Sequence, residues 1–300
     1  MPRTGGDDVD GDDVDSEAGD GAAHGGPAFR RRRELGAASA RSLLLTVLGE
    51  FVLPAGEPVW TTTFLRALGL LGVEEKAVRQ ALSRSASEGW ITGERRGRRT
   101  VWRLTPAGER LLTDGTERIY GFGRPVGAWD GRWLIVLASV PETSRRLRHL
   151  LRTRLAWSGL GNLSPGVWVS PHAERRTEVR EVLSDIGVAG TSTLFVGRLG
   201  DLSEARQVAA QAWNLDELEL AYEDFLDAVR ALRPDDDPRT FAAHTRLVQE
   251  WRRFPFLDPD LPAELLPENW CGSRAAAVFH ERHGTWRPVA EGHWRAMTRE

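Results

Sequence analysis

The chain has a single cysteine, Cys271, among its 300 residues, so no internal disulfide can form. Its longest apolar stretches, Leu43 to Leu48 and Trp133 to Val140, fall far short of the roughly 18 residues that a membrane span requires. The first 28 residues are acidic and Gly-rich, without the basic start and apolar centre of a secretory signal. These absences argue against a disulfide-stapled secreted protein and against a membrane protein, and they predict a cytoplasmic location.

What the chain does have is length for several domains and an uneven distribution of charge. Hydrophobic residues make up 41% of it, which is ample for buried cores, and the net charge is only −3. Residues 1–28 carry one Arg against eight acids, whereas residues 29–120 carry sixteen Lys and Arg against ten acids. We therefore expect a disordered acidic leader over residues 1–36, followed by a locally basic segment.

The basic segment has the pattern of three short helices, a hairpin and a fourth helix. A first apolar helical stripe ends at Pro54 and Gly56, and a second helix is expected to begin at a capping cluster, Thr61-Thr62-Thr63. A third helix follows Glu74, and a Gly-centred turn at residues 95–99 joins two short strands. Thr105-Pro106 then starts the fourth helix. This order predicts a winged helix-turn-helix over residues 37–123.

Polar side chains of the third helix recur at three- and four-residue spacing opposite its apolar stripe, so they predict a surface for the DNA major groove. Arg contacts guanine edges and Gln contacts adenine, which makes Arg79 and Gln80 the candidates for sequence readout. The hairpin arginines are expected at the DNA backbone or minor groove. The predicted DNA-binding residues are Lys76, Arg79, Gln80, Ser83, Arg84, Arg95, Arg96, Arg98 and Arg99.

The remainder of the chain divides into two further predicted domains. Residues 129–200 show a β-α-β-β-α-β order, which is that of a ferredoxin-like domain. Helical patterns dominate residues 201–300, broken by a proline-punctuated loop over residues 255–267. The predicted fold class is α+β, with a winged helix-turn-helix, a ferredoxin-like middle domain and a helical C-terminal domain.

Three stretches of sequence resemble the phenylacetate-catabolism repressor (PaaX-type) family, from Arg41 almost to the C-terminus. They are AVRQALSR at 77–84, WITGERRGRRTVWRLTPAGERLL at 90–112 and QEWRRFPFLDPDLPAELLPENW at 249–270. The resemblance implies a homodimeric repressor that binds a double-stranded operator and is released by an aryl-CoA thioester such as phenylacetyl-CoA. A homodimer also suits helix-turn-helix proteins, which commonly match two half-sites.

A CoA thioester requires cations for its phosphates and an apolar slot for its acyl group. Trp168, Arg252, Arg253 and Trp270 are the candidates for this effector site, although tryptophans in small α+β cores usually pack and the two arginines can anchor a helix end. A constitutive or activating DNA-binding regulator is a further alternative, because the residues do not reveal the sign of regulation.

The middle region is also similar to the ferredoxin-like nuclease subunit of CRISPR adaptation, in which an Asp at the end of the first strand helps to bind a metal. Here that place is Ala138-Ser139-Val140-Pro141, and Glu142 lies at the expected helix start instead. A metal-dependent nuclease is therefore a disfavoured alternative, and we expect a structural or dimerisation role.

Neither a metal site nor a catalytic residue set emerges from the sequence, and no cofactor is expected. His280, Glu281 and His283 are close in sequence but lack further convincing ligands. Cys271 has no nearby Cys or His partner in sequence and is interpreted as a buried or incidental thiol rather than a nucleophile.

Overall fold

A computed structural model describes residues 39–123, 128–141 and 143–299 of the chain. The predicted leader, residues 1–36, lies outside the described residues. The described residues form helices and two antiparallel sheets, which confirms the α+β class. No described helix combines the length and the apolar character needed to cross a membrane.

The described part of the N-terminal region contains helices at the places where the apolar stripes predict them. Ser39 caps α1 (Ala40–Val47) by accepting a hydrogen bond from the backbone N–H of Ser42. This helix continues through a π-helical turn (Leu48–Val52), which the periodicity did not predict, into α2 (Leu53–Ala55). Gly56 ends it in a left-handed conformation, with φ 64°. The next two helices are α3 (Thr61–Gly69) and α4 (Glu75–Ser87).

The first sheet has three strands, although the sequence predicted only the hairpin. A two-residue strand β1 (Val59–Trp60) pairs with β3 (Arg99–Leu104), which also pairs with β2 (Ile91–Arg96). The expected capping role of the Thr61 cluster is wrong, because Trp60 occupies the N-cap position and makes no side-chain capping bond. Thr61 instead donates its hydroxyl to the carbonyl of Thr100, at 3.1 Å, and so connects α3 to the sheet.

A second sheet of four strands follows the long helix α5 (Pro106–Gly121). Its elements are β4 (Arg132–Ala138), α6 (Arg145–Trp157), β5 (Gly161–Ser164), β6 (Val167–Ser170), α7 (Arg176–Asp185) and β7 (Ser192–Arg198). The order across the sheet is β5-β6-β4-β7, and every neighbouring pair is antiparallel. The two helices pack on one face of this sheet around Leu134 and Val136, and the other face meets Ala205 and Ala209.

The C-terminal region is helical, as its pattern predicts. It contains α8 (Leu202–Ala212), α9 (Leu215–Ala231), α10 (Asp237–Trp251), a short α11 (Phe254–Leu257) and α12 (Cys271–Arg299). The proline-punctuated stretch that was predicted to be a loop thus overlaps α11, and it also holds a 3-10 turn at Ala263–Leu265. With 29 residues, α12 is about 44 Å long.

The N-terminal helices do not close their hydrophobic core by themselves. Their buried side chains, such as Phe64, Leu68 and Val78, form one cluster with Phe241 of α10 and Trp294 of α12. Phe51 stacks on Trp294 with ring centroids 5.4 Å apart, and its centroid lies 4.9 Å from that of Phe241. The two ends of the chain therefore share a core, which we call the junction core.

Candidate nucleic-acid interface

Helix α4 separates its residues into a buried stripe and an exposed polar face. Val78, Ala81, Leu82 and Ser85 are buried against the neighbouring helices. All five of the predicted DNA-contacting side chains of this helix are exposed, as the spacing requires: Lys76, Arg79, Gln80, Ser83 and Arg84.

Arg79 is paired loosely with a carboxylate one turn earlier on the same helix. Its guanidinium lies 3.5 Å from Glu75, and the two side chains are 58% and 73% exposed. An exposed pair of this kind contributes at most about 1 kcal/mol. The pair therefore restrains Arg79 little, and the side chain can leave Glu75 at small cost.

The hairpin places four arginines around a tight turn. Arg96 pairs with Arg99 across the two strands, and Gly97 takes the first turn position with φ 64°. Because an L side chain at that φ is strained, glycine suits this position. Arg95, Arg96, Arg98 and Arg99 are all exposed.

Two of these arginines already hold acceptors within the hairpin. Arg96 makes a bidentate contact with Glu94, at 3.0 and 3.1 Å, and this hydrogen-bonded pairing lowers the pKa of Glu94 and raises the pKa of Arg96. Arg95 donates its Nε–H to the carbonyl of Gly97, at 3.2 Å. Arg98 and Arg99 also lie at the turn, but neither takes part in the contacts with Glu94 and Gly97.

The hairpin is fixed to the helices by a side-chain hydrogen bond and by close packing around two glycines. Trp102 donates its indole N–H to the Thr61 hydroxyl, at 2.9 Å, and its ring lies so close to Gly93 that a Cβ there would clash at 2.9 Å. Thr105 caps α5 by accepting from the backbone N–H of Gly108, as the sequence predicts. A Cβ at Gly108 would lie 2.0 Å from the carbonyl oxygen of Trp90, so only glycine fits at this position in the first turn of α5.

The four predicted effector residues do not line one cavity together, and Trp270 packs edge-on against Tyr222 with ring centroids 5.9 Å apart. Arg252 donates to the carbonyl of Ser42 and to the hydroxyl of Thr46, at 3.1 and 3.0 Å, and burial lowers its pKa. Arg253 donates to the carbonyl of Ala221, at 3.3 Å, and pairs with Glu250 at 3.6 Å. These arginines connect helices of the protein.

A cavity of about 1210 Å³ opens between the middle sheet, the end of α5 and the C-terminal helices. Of the four predicted effector residues, only Trp168 lines it. Its wall combines aromatic side chains with charged groups of both signs, among them Trp157, Trp213, Phe256, Arg118, Arg152, Arg175, Glu178, Asp216 and Asp258.

In one part of this cavity wall, a positively charged side chain lies beside two aromatic rings. Arg118 lies with its guanidinium 4.5 Å from the ring centre of Phe256, and that ring meets Trp157 edge-on at 5.7 Å. Burial lowers the pKa of Arg118, and the neighbouring positive charge of Arg175 lowers it further. Aromatic walls with a few convergent charged groups are typical of sites for small molecules.

Three protein-family models match the three regions of the chain in succession. Residues 39–108 match the family described as PaaX-like protein, residues 126–209 the PaaX protein central Cas2-like domain, and residues 213–296 the PaaX-like protein C-terminal domain. The chain is also 33% identical over 248 residues to the Transcriptional repressor PaaX of Escherichia coli (strain K12), an alignment that covers 79% of this chain and 77% of that relative. The chain belongs to the PaaX-like family.

A solved structure resembles this PaaX-like chain over most of its length. It is an uncharacterized protein from Mycobacterium tuberculosis with a TM-score of 0.58 and 25% identity, and the match covers 85% of this chain and 98% of that one. The likeness therefore extends over all three regions rather than over a single domain.

Two further residues considered in the sequence analysis are Cys271 and His283, and the structure of this PaaX-like chain shows what surrounds each of them. The Cys271 thiol is buried and donates to the carbonyl of Glu219, at 3.6 Å; burial and the nearby Glu219 and Glu223 raise its pKa to about 11. A protonated, enclosed thiol agrees with the expectation of a buried thiol rather than a nucleophile. His283, which the sequence did not assign to a site, lies beside Glu50 and His244. Spacing along the chain held no signal of that contact.

Proposed function

We propose that this protein is a DNA-binding transcriptional repressor whose residues 37–123 form a winged helix-turn-helix. In this proposal residues 129–200 are a ferredoxin-like domain and residues 201–300 a helical C-terminal domain. The observation that carries it is the wholly exposed polar face of α4 beside an arginine-rich hairpin. Membership of the PaaX-like family and the repressor in Escherichia coli support the same function.

The two basic surfaces have different tasks in this proposal. Helix α4 enters the major groove, where Arg79 and Gln80 read base edges and Lys76, Ser83 and Arg84 contact phosphates. The hairpin lies over the neighbouring backbone, where Arg95, Arg96, Arg98 and Arg99 neutralise phosphates or reach the minor groove. Because phosphate contacts release counterions, binding to every DNA weakens as salt rises.

We also propose that the repressor is a homodimer assembled through the middle sheet. Strand β7 is an edge strand, and Phe195 on it is 51% exposed while Leu137, on the same sheet face, is 42% exposed. An open edge with exposed apolar side chains is a natural surface for a second copy, and a two-fold dimer matches paired half-sites. Phe195→Lys should shift sedimentation from dimer to monomer, whereas Leu220→Lys, at a 61% exposed position on α9, should not.

The effector in this proposal is an aryl-CoA thioester, and the cavity beside Phe256 is the site that suits it best. Its aryl group packs on Trp157 and Phe256, and its phosphates meet Arg118, Arg152 and Arg175. Acidic side chains also line the wall, among them Glu178 close to Arg118, so the group of Arg118, Arg152 and Arg175 is the part proposed to hold the phosphates. Arg252 and Arg253, which the sequence predicted at the effector site, are not part of this proposed site, because both side chains hold helices together.

The experiment that tests the function is fluorescence anisotropy of the full chain on DNA from upstream of its own gene. Specific DNA should bind at least about 10³-fold more tightly than random DNA, and affinity should fall steeply with salt. Phenylacetyl-CoA should release the complex where acetyl-CoA and free CoA do not. Equal binding to random DNA would refute the repressor, and specific binding unmoved by every thioester would refute only the effector.

A matched pair of variants tests the cavity. Arg152 and Arg146 both lie on α6 and both are exposed, but only Arg152 lines the cavity. Arg152→Ala should weaken thioester binding about tenfold without changing DNA affinity, and Arg146→Ala should change neither. The reverse pattern would place the effector elsewhere.

The nuclease alternative rests on the Cas2-like central match and is tested with the same protein. Residues 138–141, at the end of β4, offer no carboxylate, and Glu142 lies outside the described residues. We propose binding without cleavage, so duplex DNA should stay intact with Mg²⁺ or Mn²⁺. A transcription assay on the same fragment separates repression from constitutive activation by the sign of the change.

A further inference from the structure

Four segments that are distant in sequence meet at the edge of the junction core. Glu50 lies on the π-helical turn, Tyr120 at the end of α5, His244 in the middle of α10 and His283 in the middle of α12. We call these four residues the Glu50 cluster. A π turn inserts an extra residue into a helix and is frequently found at functional sites, and here Glu50 is part of that turn.

The polar atoms of the cluster converge on one carboxylate. His244 Nε2 lies 2.8 Å from Glu50 Oε2 and His283 Nε2 lies 3.4 Å from the same oxygen. One nitrogen from each histidine and one oxygen from Glu50 all lie within 4.8 Å of one another. The hydroxyl of Tyr120 donates to the other carboxylate oxygen, Oε1.

The cluster is enclosed by protein. The side chains of Glu50, His244 and His283 are 9%, 0% and 12% exposed. Burial raises the pKa of Glu50, but the bonds from His244 and His283 outweigh it and hold that pKa at about 2. Binding of an ion here requires both imidazoles to be neutral, so metal–ligand bonds would replace the histidine–carboxylate hydrogen bonds.

We propose that Glu50, His244 and His283 bind one divalent transition-metal ion, with zinc as the simplest occupant. Two imidazoles and one carboxylate are a recurrent ligand set for zinc and for non-haem iron. Metal–ligand bonds of about 2.1 Å in a tetrahedron separate the ligand atoms by about 3.4 Å. The two histidine–carboxylate separations, 2.8 and 3.4 Å, are close to this value, and the three ligand atoms all lie within 4.8 Å of one another, so small side-chain movements would complete the arrangement.

Neighbouring rings hold the ligands in place. The His244 ring lies edge-on to Phe51 at 5.9 Å, and the His283 ring packs against Tyr120 at 4.8 Å and Phe279 at 5.5 Å. Tyr120 is a positioning residue, since its hydroxyl bonds the carboxylate oxygen that the histidines do not contact. Arg287, whose charge interacts with Glu50 and Tyr120, is engaged by Glu291 at 2.7 Å.

The ligands come from both ends of the chain, so the ion cross-links them. Glu50 belongs to the helix that opens the N-terminal unit, whereas His244 and His283 belong to the C-terminal helices. Binding to the folded chain alone stabilises it in proportion to the logarithm of metal concentration. Metal occupancy then sets how firmly the N-terminal helices are held against α10 and α12.

The test is metal binding by the full chain after treatment with EDTA and dialysis. Titration calorimetry with Zn²⁺ should give one tight site per chain, and Zn²⁺ should raise the melting temperature. Co²⁺ at the same site should give the visible absorption of a tetrahedral ion with nitrogen and oxygen ligands. A wild-type chain that binds neither ion more tightly than about 100 µM overturns the proposal, leaving a buried histidine–carboxylate ion cluster only.

Variants separate this site from weak binding by carboxylates elsewhere, such as those among the acidic residues 1–28. His283→Asn should lower Zn²⁺ affinity by at least about 100-fold, and Tyr120→Phe by about 10- to 100-fold. His149→Asn removes an exposed histidine on α6 and should change nothing. If His283→Asn fails to fold, the wild-type Co²⁺ spectrum still decides. Zn²⁺ binding that is equal in His283→Asn and His149→Asn would place the ion elsewhere and overturn the proposal.

Discussion

The reading surface of α4 and the hairpin is built in the opposite way from the Glu50 cluster. The first is formed by side chains between Lys76 and Arg99, all exposed, on elements that are neighbours in sequence. The second joins Glu50 to His283 across 233 positions and is enclosed by protein. A local surface follows from helical and strand periodicity, whereas a buried cluster exists only once distant elements have packed. The comparison teaches that the two ends of this chain depend on each other through the core rather than through the surface.

The largest expected effect comes from removing the ring that joins the two ends. Trp294 is 3% exposed and stacks on Phe51 and Phe241, so Trp294→Ala should lower the free energy of unfolding by about 3–5 kcal/mol. Urea unfolding measures it, with Leu220→Ala at a 61% exposed position as the control. DNA binding should weaken as well. Full DNA affinity in a destabilised variant would break the comparison, since the reading surface would then stand without the junction core.

A base-reading contact should show the next largest effect. Arg79→Ala should weaken specific DNA binding by about 1–3 kcal/mol and leave random DNA almost unchanged. Anisotropy on both DNAs measures the difference, and Arg230→Ala on α9 is the control. A loss of equal size on every DNA would assign Arg79 to the backbone.

The cavity wall should respond to pH through Asp258. Burial raises its pKa to about 6, although hydrogen bonds from Tyr222 and from the backbone of Asp260 work against this. A carboxyl with a raised pKa stabilises the fold below its unfolded pKa of about 3.8, and that stability is lost as pH rises through about 6.

Asp258→Asn removes this dependence. Between pH 5 and 7.5 the wild type should lose about 1 kcal/mol of unfolding free energy relative to the variant. Urea melts at both pH values measure this, with Asp227→Asn at an exposed position as the control. Parallel pH profiles of wild type and Asp258→Asn would contradict the raised pKa.

The smallest effect is expected at the hairpin turn. Arg98→Ala removes one phosphate contact, so specific and random DNA should both weaken by less than about 1 kcal/mol and the salt slope should fall by about 1. Salt titrations of both DNAs measure this. A loss restricted to the specific DNA would make Arg98 a base reader and sharpen the division between helix and hairpin.

Local chemistry made much of the fold predictable. The stripe from Val78 to Ser85 fixed α4, and Thr105-Pro106 fixed the start of α5, because capping and periodicity act within a few residues. The strand Val59–Trp60 is too short to show alternation, and the π turn at Leu48–Val52 breaks no apolar pattern. The sequence pattern therefore predicted neither element.

The sequence by itself determined the class of fold, the polar face of α4, the basic hairpin and the family. The tertiary structure alone decided that Arg252 binds α1 rather than lining the cavity, that Trp294 completes the N-terminal core, and that His283 meets Glu50. The physical reason is range. Propensity, capping and periodicity are properties of neighbouring residues, whereas a shared core and a buried ligand set depend on which apolar faces pack together across the whole chain.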